Sequence, residues 1–132
     1  MLWQFRILAF YLALTILVLL YFFFLCAPMH VLRAPYSFRY KVAESFSYSF
    51  IFIVKILCGL NYKVIGIEKL PSDGKPYLAL ANHQSFWENV FMQLIIPKHS
   101  WVIKKELFDI PLFGWGLRTV FPIAVDRGNS RS

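Results

Sequence analysis

"PYLALANHQSFWENVFMQL", Pro76–Leu94, carries an apolar run straight into a polar knot of Asn82, His83, Gln84 and Ser85, with Glu88 following inside a new apolar stretch. "YLALA" has the composition of a buried strand. Ser85 then supplies an N-cap, and Glu88 stands three residues later in the Ser-x-x-Glu pattern of a capping box, so a helix is expected to begin beside the histidine. A strand running into a helix through such a loop is a unit of an α/β domain. Its neighbours extend the pattern. "YKVIGIEKL" (62–70) reads as a strand, "PSDGKP" (71–76) as a turn, and "SWVIKK" (100–105) and "FPIAV" (121–125) as further strands.

Upstream the texture is different. Of the 132 residues, 58% are hydrophobic, and the mean hydropathy is +0.55. That is too apolar for an ordinary soluble domain, and the excess lies at the N-terminus. Ile7–Cys26, "ILAFYLALTILVLLYFFFLC", is a run of 20 uncharged residues, long enough as a helix to cross the hydrocarbon of a bilayer. The aromatic residues 21–24 replace the small residues that a signal-peptide cleavage site requires. Arg33, Arg39 and Lys41 follow this span and only Arg6 and the amino terminus precede it, so the positive-inside rule places the remainder of the chain on the cytoplasmic side. A second apolar stretch, residues 45–60, contains Lys55 and three serines, and is expected either as a helix in the interface or packed on the domain, or as an ordinary buried core helix. The chain thus divides into a membrane-anchoring region, 1–60, and an α/β region, 61–132.

The net charge of +7 suits anionic lipid headgroups. Nucleic acid is set aside, because no basic cluster interleaved with aromatics accompanies the charge. Cys26 and Cys58 both sit in apolar segments at a spacing that suits neither a metal site nor a disulfide framework, so both are expected to be packing residues. His83 has no second ligand at metal spacing, and no metal or tightly bound cofactor is implied.

A histidine at the end of a strand and an acid one turn into the next helix can face each other across the loop. The carboxylate then fixes the ring's tautomer and stabilises its protonated form. Ser85 lacks the glycine-flanked elbow that exposes a serine nucleophile, so a covalent acyl-enzyme is disfavoured. Alternatively, Glu88 only caps the helix.

"NHQSFWE", "WVIKKELFDIPLFGWGL" and "FPIAVDRGN", in that order, resemble the glycerolipid acyltransferase family, and within it the bacterial enzymes that acylate 1-acyl-glycerol-3-phosphate. His83 and Glu88 match the family's His-x-x-x-x-Asp, with Glu in place of the commoner Asp. Lys104, Glu106, Leu107, Pro111 and Gly114 match its second block, and Arg127 matches the arginine that ends its third. The resemblance implies a glycerolphosphate-acyltransferase-type α/β domain that transfers an acyl chain from acyl carrier protein or acyl-CoA to lysophosphatidic acid, giving phosphatidic acid. It makes His83 and Glu88 catalytic and Arg127 a phosphate ligand, with Lys104 and Gly114 on the substrate side. Lys105 and Arg118 are further candidates for an anionic surface, Gly116 for a turn, and Phe108, Phe113 and Trp115 for the walls of the acyl site. His30 and His99 receive no role. The family's later Glu-Gly-Thr-Arg block does not occur in these 132 residues. The resemblance therefore implies the first part of such a domain, with two outcomes open: a membrane acyltransferase, or an inactive fragment that keeps a lipid-binding surface.

Overall fold

The computed structural model describes residues 2–82, 84–96, 98–126 and 128. Helix α1, Leu2–Tyr21, passes through one π-helical turn, Phe22–Cys26, into α2, Ala27–Val31. The wide turn has a local cause. Pro28 has no N–H to give to the carbonyl four residues back, and just before it the Ala27 N–H donates to Phe22 O, five residues back. Residues 3–31 form one continuous apolar rod of 29 residues, about 43 Å at 1.5 Å per residue. That exceeds the ~30 Å of a bilayer's hydrocarbon core.

The chain then reverses. Pro35 caps α3, Tyr36–Ile53, which continues through a second π-helical turn, Val54–Cys58. Gly59, left-handed at φ 71°, stops it, with its N–H donating to Lys55 O at 3.0 Å. This helix starts at Tyr36, not at Ser45 as the hydropathy suggests. Its first nine residues hold Arg39, Lys41 and Glu44, which an apolar window rejects but an amphipathic helix accepts, with Tyr40 and Val42 buried and Lys41 exposed. α1 and α3 run antiparallel. The Arg6 Nε–H donates to Leu57 O at 2.7 Å near one end, and the Tyr21 hydroxyl lies 2.9 Å from Ser45 Oγ toward the other.

Helix α4, Phe86–Ile95, closes the core. Phe50, Ile51 and Val54 from α3 and its continuation meet Val90 and Phe91 from α4, and Phe10, Leu14 and Leu17 from α1 pack against the same cluster. The spacing of those three α1 residues puts them on one face. A polar seam joins α3, α4 and the chain beyond: Tyr40 lies edge-on to His99, His99 against Trp101, and the Trp101 indole N–H donates to Gln93 Oε1 at 2.8 Å. Burial, reinforced by the charge of Glu44, pushes the Tyr40 phenol up to about 12.

The α/β character resides in one small unit. Strand β1, Val102–Lys104, leads through a 3₁₀ turn, Lys105–Asp109, and helix α5, Phe113–Arg118, to strand β2, Ile123–Val125. The strands pair in parallel, Val102 with Ile123, Ile103 with Ala124 and Lys104 with Val125. Together with the helices this makes a mostly helical chain with a two-stranded sheet. The strands expected at 62–70 and 77–81 are absent. The first is interrupted by Gly66, left-handed at φ 85°, and a 3₁₀ turn at Ile67–Lys69. The second is not buried, since Leu78 and Leu80 are 77% and 88% exposed. An extended segment needs a neighbour to pair its backbone groups, and among the described residues β1 and β2 pair only with each other. Cys26 is half-buried, whereas Cys58 is exposed at the end of its helical turn, so only the first fits the expected packing role.

The core assignment has a direct test. Phe50→Ala is expected to destabilise the detergent-solubilised chain by about 3–5 kcal/mol. Phe52→Ala, two residues on but 65% exposed, is expected within about 0.5 kcal/mol of the parent. Thermal unfolding followed by circular dichroism compares the two.

Candidate functional site

The polar knot of the opening stretch sits at the N-terminus of α4. Ser85 takes an extended backbone, φ −151° and ψ 159°, and its Oγ accepts the Glu88 N–H. Glu88 Oε1 accepts in return from the Ser85 N–H at 2.9 Å and from the Gln84 N–H. The capping box expected from Ser85 and Glu88 therefore forms, and the acid is bound to the backbone of the loop that carries the histidine. These contacts of Oε1 are those of a helix cap, the alternative role that the sequence allows for Glu88. His83 itself lies outside the described residues, as does Arg127.

The second block is brought against the first by aromatic contact. Phe86, the first residue of α4, and Phe113, the first of α5, have ring centroids 5.9 Å apart, and Phe86 also meets Phe50 edge-on at 5.9 Å. The helix that begins beside His83 and the helix that ends the Lys104–Gly114 block are thereby seated on the same core. Lys104 is the last residue of β1, exposed, and paired with Val125 at the end of β2. Both strands thus finish at one edge, and the carboxyl ends of parallel strands are where open α/β sheets place their ligands.

Gly114 is a structural necessity. A Cβ there would stand 2.1 Å from Phe108 O and 2.6 Å from its carbonyl carbon, so the 3₁₀ turn of Lys105–Asp109 packs directly on the α5 backbone. Gly116 is different: nothing lies within 4 Å of its notional Cβ. The three aromatics proposed for the acyl site separate. Phe113 packs on Phe86, Phe108 lies beneath the Arg118 guanidinium at 5.5 Å, and Trp115 packs on Phe22 and His30 with centroids 5.8 Å away from each. Trp115 thus ties α5 to the far end of the apolar rod. His30 and His99, which fit no motif, prove to be packing partners of Trp115 and of Tyr40 and Trp101. Only tertiary contact reveals such roles, because nothing in the neighbouring residues marks them.

These positions can be set beside known proteins. Residues 61–132 match the family model described as Acyltransferase. The chain belongs to the acyltransferase family. It is 36% identical over 108 residues to a 1-acyl-sn-glycerol-3-phosphate acyltransferase of Pseudomonas aeruginosa, covering 82% of this chain and 40% of that protein. Proteins of the same name in Saccharomyces cerevisiae, 39% identical over 67 residues, and Streptococcus pneumoniae, 31% over 64, are matched across 22% and 24% of their own lengths. This acyltransferase chain therefore spans less than half the length of these relatives. No solved structure matches it.

The two glycines give opposite expectations. Gly114→Ala must displace backbone and is expected to cost more than 2 kcal/mol, in the range of other overpacked sites. Gly116→Ala, in an open helical position, is expected to be neutral or to stabilise by up to about 1 kcal/mol. Denaturant midpoints of the two variants in detergent provide the comparison.

Proposed function

We propose that this acyltransferase chain carries the catalytic dyad for acyl transfer from acyl-CoA or acyl carrier protein to 1-acyl-glycerol-3-phosphate, forming phosphatidic acid. The observation that carries the proposal is the convergence of the first two motif blocks through Phe86 and Phe113, with Glu88 already locked to the loop that bears His83. His83 takes the proton from the acceptor hydroxyl. The hydroxyl oxygen attacks the thioester carbonyl, the carbon–sulfur bond breaks, and the proton passes from the imidazolium to the departing thiolate. Glu88 orients the ring and balances its charge during the step. Arg127 and Lys104 are the ligands of the acceptor's phosphate in this reading, a guanidinium fork being able to hold two oxygens at once. Gly114 acts indirectly, by letting the turn and α5 close on each other. The donor thioester arrives as a co-substrate, and the chemistry needs no resident cofactor.

The substrate is a membrane lipid, and the anchor fits that role. Most of α1 presents apolar side chains outward, among them Phe5, Leu8 and Leu12, and the outer face of α3 and its π-helical continuation adds Tyr48, Phe52 and Ile56 at helical spacing. Phe10, Leu14 and Leu17 of α1 pack against the cluster that α3 and α4 share, and α5 meets the rod at Phe22 and His30, so the domain lies along the apolar rod rather than at the end of a stalk. In this arrangement the site opens at the membrane surface. Arg33 and Lys41, both exposed, favour the cytoplasmic face of the inner membrane.

Joining the chain to the portion of the Pseudomonas relative that it does not match allows the chemistry to be measured. His83→Ala is expected to lower kcat by ~10²–10⁴-fold, Glu88→Asp to retain most activity, and Arg127→Ala to raise KM for lysophosphatidic acid. Full turnover in the His83 variant would exclude the general base, whereas no turnover with His83 intact would leave an inactive lipid-binding segment as the better account. The anchor is checked separately: the chain is expected to stay with membranes through a high-salt wash, because apolar burial is not screened by salt.

A further inference from the structure

A cleft of about 280 Å³ opens where the far end of the apolar rod meets the β1–α5–β2 unit, lined by His30, Arg39, Phe108, Arg118, Phe121 and Pro122. Three of the six are basic or can become so, and none is acidic. Arg118 follows the second block and is a candidate for its anionic surface, whereas His30 and Arg39 lie outside the acyl-transfer motifs.

Arg39 is the unusual member. It is only 8% exposed, yet its guanidinium makes one hydrogen bond among the described residues, from Nε to Ala34 O at 2.7 Å, and lies 5.3 Å from the centroid of the Phe121 ring. No carboxylate pairs with it there; the ion pair found among the described residues is between Lys75 and Asp73. Burying a guanidinium without a counter-charge is costly. Phe121 adds to the cost, since its backbone is left-handed at φ 49°, a conformation that disfavours a bulky side chain. Arg118, on the facing element, is similarly held over the Phe108 ring and has no acidic partner among the described residues.

From this arrangement we propose that the cleft binds the phosphate of an anionic glycerophospholipid, with Arg39 and Arg118 as ligands and His30 at the rim. Two features favour a lipid over a free anion. The walls are two phenylalanine rings, a proline ring and the stems of the arginines, which suit glycerol and the first acyl carbons better than a bare hydrated ion. The cleft also lies at the end of the apolar rod, beside Trp115 and His30, at the level where indole rings collect between hydrocarbon and water. A phosphate there supplies the missing charge for Arg39, and its diester tail leaves along the rod. The site does not depend on the acyl-transfer reading, since a lipid held here need not react.

Native mass spectrometry of the full chain in detergent tests this, with dioctanoyl phosphatidylglycerol, dioctanoyl phosphatidylcholine and inorganic phosphate as probes. Phosphatidylglycerol is expected to bind at least about tenfold tighter than phosphatidylcholine, and Arg118→Gln to remove most of that preference, as loss of a charge-assisted phosphate contact would. Arg39→Gln is expected to do the same. Should that buried substitution prevent folding, exposed Arg118 still decides the matter. Lys69→Gln, an equal change of charge elsewhere on the surface, is expected to leave the preference intact. Inorganic phosphate in large excess is expected not to displace the lipid. Equal binding of the two lipids, an unchanged preference in Arg118→Gln, an equal loss in Lys69→Gln, or displacement by inorganic phosphate would each overturn the proposal.

Discussion

The contact of Phe10, Leu14 and Leu17 with the Phe50–Phe91 cluster holds the rest of the molecule in place. An apolar rod of 29 residues could leave the domain altogether and stand in a bilayer as a tether. Instead one of its faces completes a core that neither α3 nor α4 could close alone, while its remaining faces stay apolar and uncovered. The same burial that folds the domain thus orients the membrane-seeking surface relative to it. Side chains in that cluster set stability, and through it the direction in which the rod's uncovered apolar faces point.

From this core the site is built by short-range rules. α4 is positioned by Val90 and Phe91 on the cluster, and its N-terminus therefore projects Ser85 and Glu88 at a defined place. The capping box joins the Ser85 and Glu88 side chains to the backbone N–H groups of residues 84, 85 and 88. Phe86 and Phe113 then bring α5 to the same region, and Gly114 allows the turn behind it to approach within a distance that no side chain would permit. A loop proposed to carry a general base needs such support because orientation effects in a bimolecular reaction amount to ~7–11 kcal/mol. An acid tied to backbone N–H groups on a packed helix is better suited to that demand than one on a free loop.

Charge is distributed in keeping with this division. The basic residues that follow the rod do not form one uniform patch. Lys41 is exposed, while Arg39 is drawn inside against Phe121. Lys104 ends a strand at the sheet's carboxyl edge, and Arg118 is turned toward Phe108. A net charge of +7 describes all of these equally and distinguishes none of them. Their surroundings do, because a guanidinium over a ring in a cleft and an ammonium in water differ in how much an arriving phosphate gains by displacing water.

What the sequence determined by itself was local or motif-borne. The apolar rod, the cap of α4 and the order of the three blocks all depend on residues within a turn or a short spacing of one another, and these survive any tertiary arrangement. The strands at 62–70 and 77–81 did not follow from their composition, because a strand is defined by its neighbour and these segments have no ladder partner among the described residues. The start of the second helix at Tyr36 was obscured by Arg39 and Lys41, whose places on a buried and an exposed face are known only once α3 has packed. Likewise, only the tertiary structure could assign Gly114 to a backbone approach, Trp115 to the rod and His30 to a cleft with two arginines. Each of those roles joins residues far apart in the chain, and it is the burial of one shared apolar face that brings them together.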